Sequence, residues 1–246
     1  MPTFSIAGKQ KGFEDERANV FDKIIKIMNT YNPRIAILEN VKNLESHDKG
    51  NTFKTIKEKL NKIGYKIKHK VLNTCEYTDL PQNRERIFIL CFKNNKDYDS
   101  FSFDSIKKEK KTLKIKTLLE KDVDKKYYYT ESSKIYDKLI KDVTKSIDDD
   151  VVYQYRRYYV RENKSGVCPT LTANMGTGGH NVPIIKDKTG IRKLTPRECF
   201  NLQGFPKEYK LNETLSNSKL YKLAGNAVSV PMINKIINEV NKLFYL

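Results

Sequence analysis

Four places in this 246-residue chain combine residue types and spacing that could do chemistry. Glu39 opens Glu39-Asn40-Val41, directly after the apolar run Arg34–Leu38. A carboxylate at the C-terminal end of a parallel strand sits where α/β enzymes place catalytic groups, although an ordinary strand-end acid reads the same way. Arg84 and Arg86 lie two apart in Pro81-Gln82-Asn83-Arg84-Glu85-Arg86, just before the run Arg86–Phe92. At strand spacing they share a face, either to anchor an anionic group or as a solvated edge. Tyr155-Arg156-Arg157-Tyr158-Tyr159-Val160-Arg161 interleaves cations with aromatics. Thr170 to Asn181 is small, polar and glycine-rich, a composition that suits close backbone approach to a ligand or a solvated hairpin.

Those residues need elements to position them. Val20, Phe21, Ile24, Ile25, Ile27 and Met28 recur at helical spacing within Arg17–Tyr31, and Asn32-Pro33 ends that helix. Arg34–Leu38 reads as a short buried strand. Asn51–Ile63 is amphipathic, with Gly64 as its C-cap, and Tyr65–Leu72 alternates like a strand. The continuous apolar run Arg86–Phe92 reads as another buried strand. Strand, helix, strand predicts an α/β sheet. Residues 96–150 are rich in Lys and Asp with few periods, apart from a short helix near Leu113–Leu119. Short strands and loops suit 151–190. Helices return at Pro196–Gln203, Ser216–Leu223 and Val230–Phe244.

Composition narrows the class. Lys and Arg number 47 against 30 Asp and Glu, a net +17 that favours a polyanionic partner. Nearly all of that excess is Lys, beside abundant Asn and Ile, as an AT-rich genome would produce without selection. Cys75, Cys91, Cys168 and Cys199 are widely spaced, with no C-x-x-C pair, so neither a metal site nor a disulfide framework is suggested. No apolar run reaches the ~18 residues of a membrane span, and the N-terminal residues lack a signal-peptide apolar region. A cytoplasmic protein is expected.

Two further blocks complete a pattern: Arg197-Glu198-Cys199-Phe200-Asn201-Leu202-Gln203-Gly204-Phe205-Pro206 and Gly225-Asn226-Ala227-Val228. With Glu39-Asn40-Val41 and Gln82-Asn83-Arg84-Glu85-Arg86, in this order, the set resembles the DNA cytosine-5 methyltransferase family along essentially the whole chain. Phe4 to Phe13 resembles the segment that follows the family's Pro-Cys-Gln catalytic loop. The resemblance implies an incomplete doubly wound, Rossmann-like S-adenosylmethionine-dependent methyltransferase sheet with an inserted small target-recognition domain. It implies S-adenosylmethionine as cofactor and double-stranded DNA as partner. Residues 1–95 and 196–246 would belong to the catalytic domain, with 96–195 as the recognition region.

The same resemblance implies roles. Glu39 would hold a flipped cytosine at N3 and its exocyclic amine. Arg86 would bind the O2 side, with Arg84 its companion. Val20, Asn226 and Ala227 would line the cofactor pocket. Ser5, Lys9 and Arg17 would contact phosphates from a closing loop, and Arg161, Thr170 and Thr172 would contact DNA from the recognition region.

The sequence departs from the family at its nucleophile. Met1 stands where the attacking cysteine belongs and Pro2 where glutamine follows it. The family's Phe-x-Gly-x-Gly loop and its acidic cofactor residues have no counterpart either. A truncated or split methyltransferase, inactive alone and completed by a complementary N-terminal polypeptide, is one expectation. An inert remnant and a non-catalytic DNA-binding protein that uses only the recognition region are the alternatives. A sheet lacking its first strands is also expected to expose an apolar edge.

Overall fold

The structure, a computed structural model, describes residues 19–109, 112–177 and 181–245. They form two compact units. One comprises the described residues 19–73, 85–107 and 235–245, and the other those within 74–84, 108–109, 112–177 and 181–234.

In the first unit, helix α1 (Asn19–Tyr31) leads to strand β1 (Ile35–Val41). Helix α2 (Asn51–Lys62) and strand β2 (Lys66–Asn73) follow, then strand β3 (Glu85–Phe92) and helix α4 (Asn95–Ser100). Gly64, at φ +83°, takes the left-handed turn that releases the chain from α2, as its C-cap position requires. Phe53, Ile56 and Leu60 of α2 are buried with Phe21 and Met28 of α1 against Ile87, Ile89 and Cys91 of β3. Each such side chain contributes about 1.5–3 kcal/mol by leaving water.

The strand order is β1-β3-β2, and both ladders are antiparallel. The order strand, helix, strand predicted the mixed α/β character and left the strand directions open. β1 and β2 run the same way, but β3 is inserted between them in the opposite direction. A parallel crossover needs a dozen or more residues, usually with a full helix. The short link 74–84 carries only the one-turn helix α3 (Thr74–Tyr77), so β3 returns antiparallel. β1 also runs further than expected, which places Glu39 and Asn40 inside the strand.

The second unit contains helix α5 (Tyr136–Asp142) and strands β4 (Val152–Arg156), β5 (Tyr159–Asn163), β6 (Ile184–Lys186) and β7 (Ile191–Lys193). They form an antiparallel sheet of order β5-β4-β6-β7. Helices α6 (Pro196–Leu202) and α7 (Asn217–Asn226) follow, and α8 (Val230–Lys242) begins here. Thr195-Pro196-Arg197-Glu198 forms a capping box: the Thr195 hydroxyl accepts from the Glu198 amide at 3.1 Å, and Glu198 accepts from the Thr195 amide at 2.8 Å. Glu198 also receives both terminal nitrogens of Arg192, each at 2.8 Å, with the two side chains at most 2% exposed. Among the described residues, no helix is long and apolar enough to cross a membrane.

Candidate active site

Glu39 and Arg86 meet on the first sheet. Glu39 lies opposite Phe88 in the β1–β3 ladder, so Arg86 is its diagonal neighbour on the same face. Arg86 Nε stands 3.0 Å from Glu39 Oε1, and the side chains are 13% and 21% exposed. The contact is an ion pair rather than an aligned hydrogen bond, because Oε1 is buried and accepts no well-directed donor. Arg86 Nη1 donates to the Glu85 carbonyl at 2.8 Å. Burial pulls the Arg86 pKa down, and Glu39 opposes that shift. No hydrogen bond within the described residues engages Glu39 Oε2 or Arg86 Nη2, so the half-buried pair keeps an acceptor on one residue and a donor on the other. That is the complement of a planar heterocycle presenting an amine beside a carbonyl.

A cavity of about 250 Å³ opens at Glu39 and Asn40, walled by Phe21, Ile24, Leu44 and Ile56. Asn40 is buried, and its side-chain oxygen accepts from the Val41 amide at 2.8 Å. Sequence reasoning missed these walls, although Phe21 and Ile24 were legible as one helical stripe. Val20, their neighbour, does not line the cavity and is 44% exposed.

Arg84 behaves differently from Arg86. It precedes β3, is 2% exposed, and donates to the carbonyls of Leu171 (3.0 Å), Gly225 (3.3 Å) and Ala227 (2.6 Å). The shared strand face expected for the two arginines is therefore not what forms. Arg84 clamps the loop 170–176 to the end of α7. Gly225 completes that clamp, since a Cβ there would collide with the Thr172 backbone. In the same loop the Thr170 hydroxyl donates to the Asn83 carbonyl at 2.6 Å, and Thr172 is half-buried. Ala227 is half-buried and Asn226 is exposed. Arg161 is exposed on β5. Ser5, Lys9 and Arg17 lie outside the described residues.

The cysteines offer no nucleophile in the described fold that chemistry at neutral pH would favour. Cys91, Cys168 and Cys199 are fully buried. Burial pushes the Cys91 thiol up to about 12 and raises those of Cys168 and Cys199. Cys75 is half-buried in α3 and belongs to the other unit from Glu39 and Arg86.

Likeness to solved structures defines the class. An Entamoeba histolytica methyltransferase, EhMeth, matches 97% of this chain and 73% of its own with TM-score 0.70 at 18% identity. A putative DNA modification methyltransferase from an E. coli prophage matches the whole chain and 78% of its own, with TM-score 0.67 at 17% identity. At such identities the likeness establishes the methyltransferase fold alone.

Sequence relatives are more specific. The type II methyltransferase M.Bsp6I of Bacillus sp. (strain RFL6) is 50% identical over 242 residues, covering 98% of this chain and 76% of its own length. M.HaeII of Haemophilus aegyptius is 38% identical over 242 residues, covering 97% and 71%. The C-5 cytosine-specific DNA methylase family matches residues 2–242, and the chain belongs to that family. Its function is DNA cytosine-5 methylation, with S-adenosylmethionine as the methyl donor and DNA as the substrate.

The described residues fit that cofactor only in part. The cavity at Glu39 is smaller than the roughly 300–1,000 Å³ of pockets that enclose such ligands. Its one carboxylate is already paired with Arg86.

Proposed function

We propose that Glu39 and Arg86 hold the target cytosine of a type II restriction-modification methyltransferase, and that the attacking cysteine is none of the four in these 246 residues. The observation that carries this reading is the half-buried Glu39–Arg86 pair, which keeps an acceptor on Glu39 and a donor on Arg86. A cytosine turned out of the duplex presents its exocyclic amine to Glu39 and its O2 to Arg86. Thiolate addition at C6 drives negative charge toward O2, next to the guanidinium. C5 thereby becomes nucleophilic enough to take a methyl group. Half-burial strengthens the Arg86 interaction over its value in water. S-adenosylmethionine supplies the electrophilic methyl group.

Arg84 is a positioning residue in this scheme, because its terminal nitrogens are spent on main-chain carbonyls. Asn226, with Ala227, and Val20 are assigned to the cofactor by motif match, and the exposure of Asn226 and Val20 supports this. Ser5, Lys9, Arg17, Thr170 and Thr172 are assigned to DNA on the same ground. Residues 96–195 serve as the recognition region between catalytic segments 1–95 and 196–246. The restriction-modification setting rests on the type II relatives, and a DNA substrate supports a cytoplasmic location.

The test is transfer of labelled methyl to unmethylated duplex DNA by the purified chain, alone and with the N-terminal part of a related methyltransferase. Transfer only in the second case is expected. Transfer by these 246 residues alone would show that one of their own four cysteines attacks and refute that reading. Silence in both would leave the inert-remnant reading standing.

A further inference from the structure

Nine arginines stand among 47 basic residues, so the positions where this lysine-rich chain uses arginine carry information. Arg17 lies outside the described residues. Five of the others are committed inside the fold: Arg34 to Asp97, Arg84 to three carbonyls, Arg86 to Glu39, Arg192 to Glu198 and Asp187, and Arg197 to the Tyr209 carbonyl. The remaining three, Arg156, Arg157 and Arg161, cluster on the β4–β5 hairpin. All are exposed, and none has a carboxylate partner among the described residues.

The hairpin has two unlike faces. Its register pairs Gln154 with Arg161 and Arg156 with Tyr159, so these four share one face. Tyr153, Tyr155 and Val160 take the other face and pack with Leu139, Val143 and Ile184. Arg156 Nη2 donates to Gln154 Oε1 at 3.3 Å, which orients its guanidinium along the strand. At the tip, Arg157 adopts φ +47°, a left-handed conformation that ordinarily favours glycine or asparagine. The Tyr155 hydroxyl braces it by donating to the Arg157 carbonyl at 2.9 Å. An open concavity lined by Ile135, Tyr155, Arg156, Arg157 and Asn181 adjoins the tip. β5 is also an edge strand, with no further strand on its outer side among the described residues, and β4 meets β6 through Tyr153 and Ile184, away from the tip.

We propose that the Gln154–Arg156–Tyr159–Arg161 face of this two-stranded ribbon enters the DNA major groove, with Arg156 reading a guanine there. The inference rests on the DNA-methylating function and deepens it to a specificity-determining residue. A two-stranded ribbon fits the major groove, and an arginine fork matches the paired acceptors O6 and N7 of guanine. Lysine, plentiful elsewhere in the chain, carries a single flexible ammonium without that planar fork and matches the paired acceptors less well. Arg161 stands diagonally across the ribbon as a second reader, and Arg157 at the strained tip holds the backbone.

The experiment is selection of bound duplexes from a randomised pool by the full chain and by Arg156→Lys, Arg157→Lys and Gln154→Ala variants. The wild type is expected to enrich a fixed guanine. Arg156→Lys should lower that preference by roughly 10- to 100-fold while binding unselected DNA within about threefold of the wild type at low salt. Gln154→Ala should lower it partially, and Arg157→Lys should leave it intact. An unchanged preference in Arg156→Lys, or a loss equal across all sequences, overturns the inference and leaves the methyltransferase function standing. Failure of the wild type to bind DNA at all would instead refute the DNA-recognition assignment of residues 96–195.

Discussion

In the first sheet, Arg86 is paired with Glu39 and half-buried, while in the second sheet Arg156 and Arg161 stand exposed without a carboxylate. The free edges differ in a related way. β1 presents the apolar run Ile35–Leu38 with no outer strand among the described residues, whereas β5 presents Arg161, Glu162 and Asn163. A charged edge discourages strand pairing, and a bare apolar edge invites it. The first sheet is thus suited to being extended by further strands around a polar pair. The second is suited to meeting water or a polyanion.

The largest effect that tests this contrast is on the committed arginines. Glu198→Ala strands the buried Arg192 and should lower the unfolding free energy by roughly 3–5 kcal/mol in urea titrations. A loss below about 1 kcal/mol would show that Arg192 is not held as described. Next comes the pair around β3. Arg84→Lys cannot reach three carbonyls and should cost about 2–3 kcal/mol of stability. Arg86→Lys should change stability by about 1 kcal/mol but slow methyl transfer in the completed enzyme by roughly 10²–10³-fold. The reverse ranking would exchange the roles assigned to the two residues.

A smaller effect depends on pH. Arg34 donates to both oxygens of Asp97 at 2.7 Å, and these hydrogen bonds hold that carboxyl below the usual carboxylate range. A depressed folded pKa stabilises above the unfolded value and loses that contribution as pH falls through the folded one. Asp97→Asn should therefore be less stable than the wild type at pH 7, and the gap should narrow below about pH 4. A gap that stays constant down to pH 3 would remove the ion pair from the account. The smallest thermodynamic change is expected for Ile35→Lys on the β1 edge, about 1 kcal/mol. Its visible effect should be on sedimentation of the isolated chain, with less self-association than the wild type.

Much of this arrangement is legible in the residues. Helix α2 follows from its apolar spacing and Gly64, and α6 forms where Pro196–Gln203 read as a helix. β3 follows from its apolar run, and the ordered motifs point to the family. Helices α4 and α5 were not legible. Asn95–Ser100 is short and polar, held by the Asn94 side chain accepting from the Asp97 amide, and α5 buries only Leu139. Such local bonds leave no hydrophobic period to read.

By itself the sequence determined the local periods, the caps, the lysine bias and the motif order, because these depend on neighbours a few residues apart. Only the tertiary structure decided that β3 runs antiparallel between β1 and β2, because the ladder is chosen by packing and the reach of the link. It also decided that Arg84 and Arg86, two residues apart, take wholly different partners. Arg84 meets Leu171 and Ala227, which lie 87 and 143 residues away in sequence, and no local pattern encodes a contact at that distance. The hairpin arginines were visible as charges from the start. That their side chains alone lack carboxylate or main-chain carbonyl partners among the described arginines emerged only once the fold had committed the others.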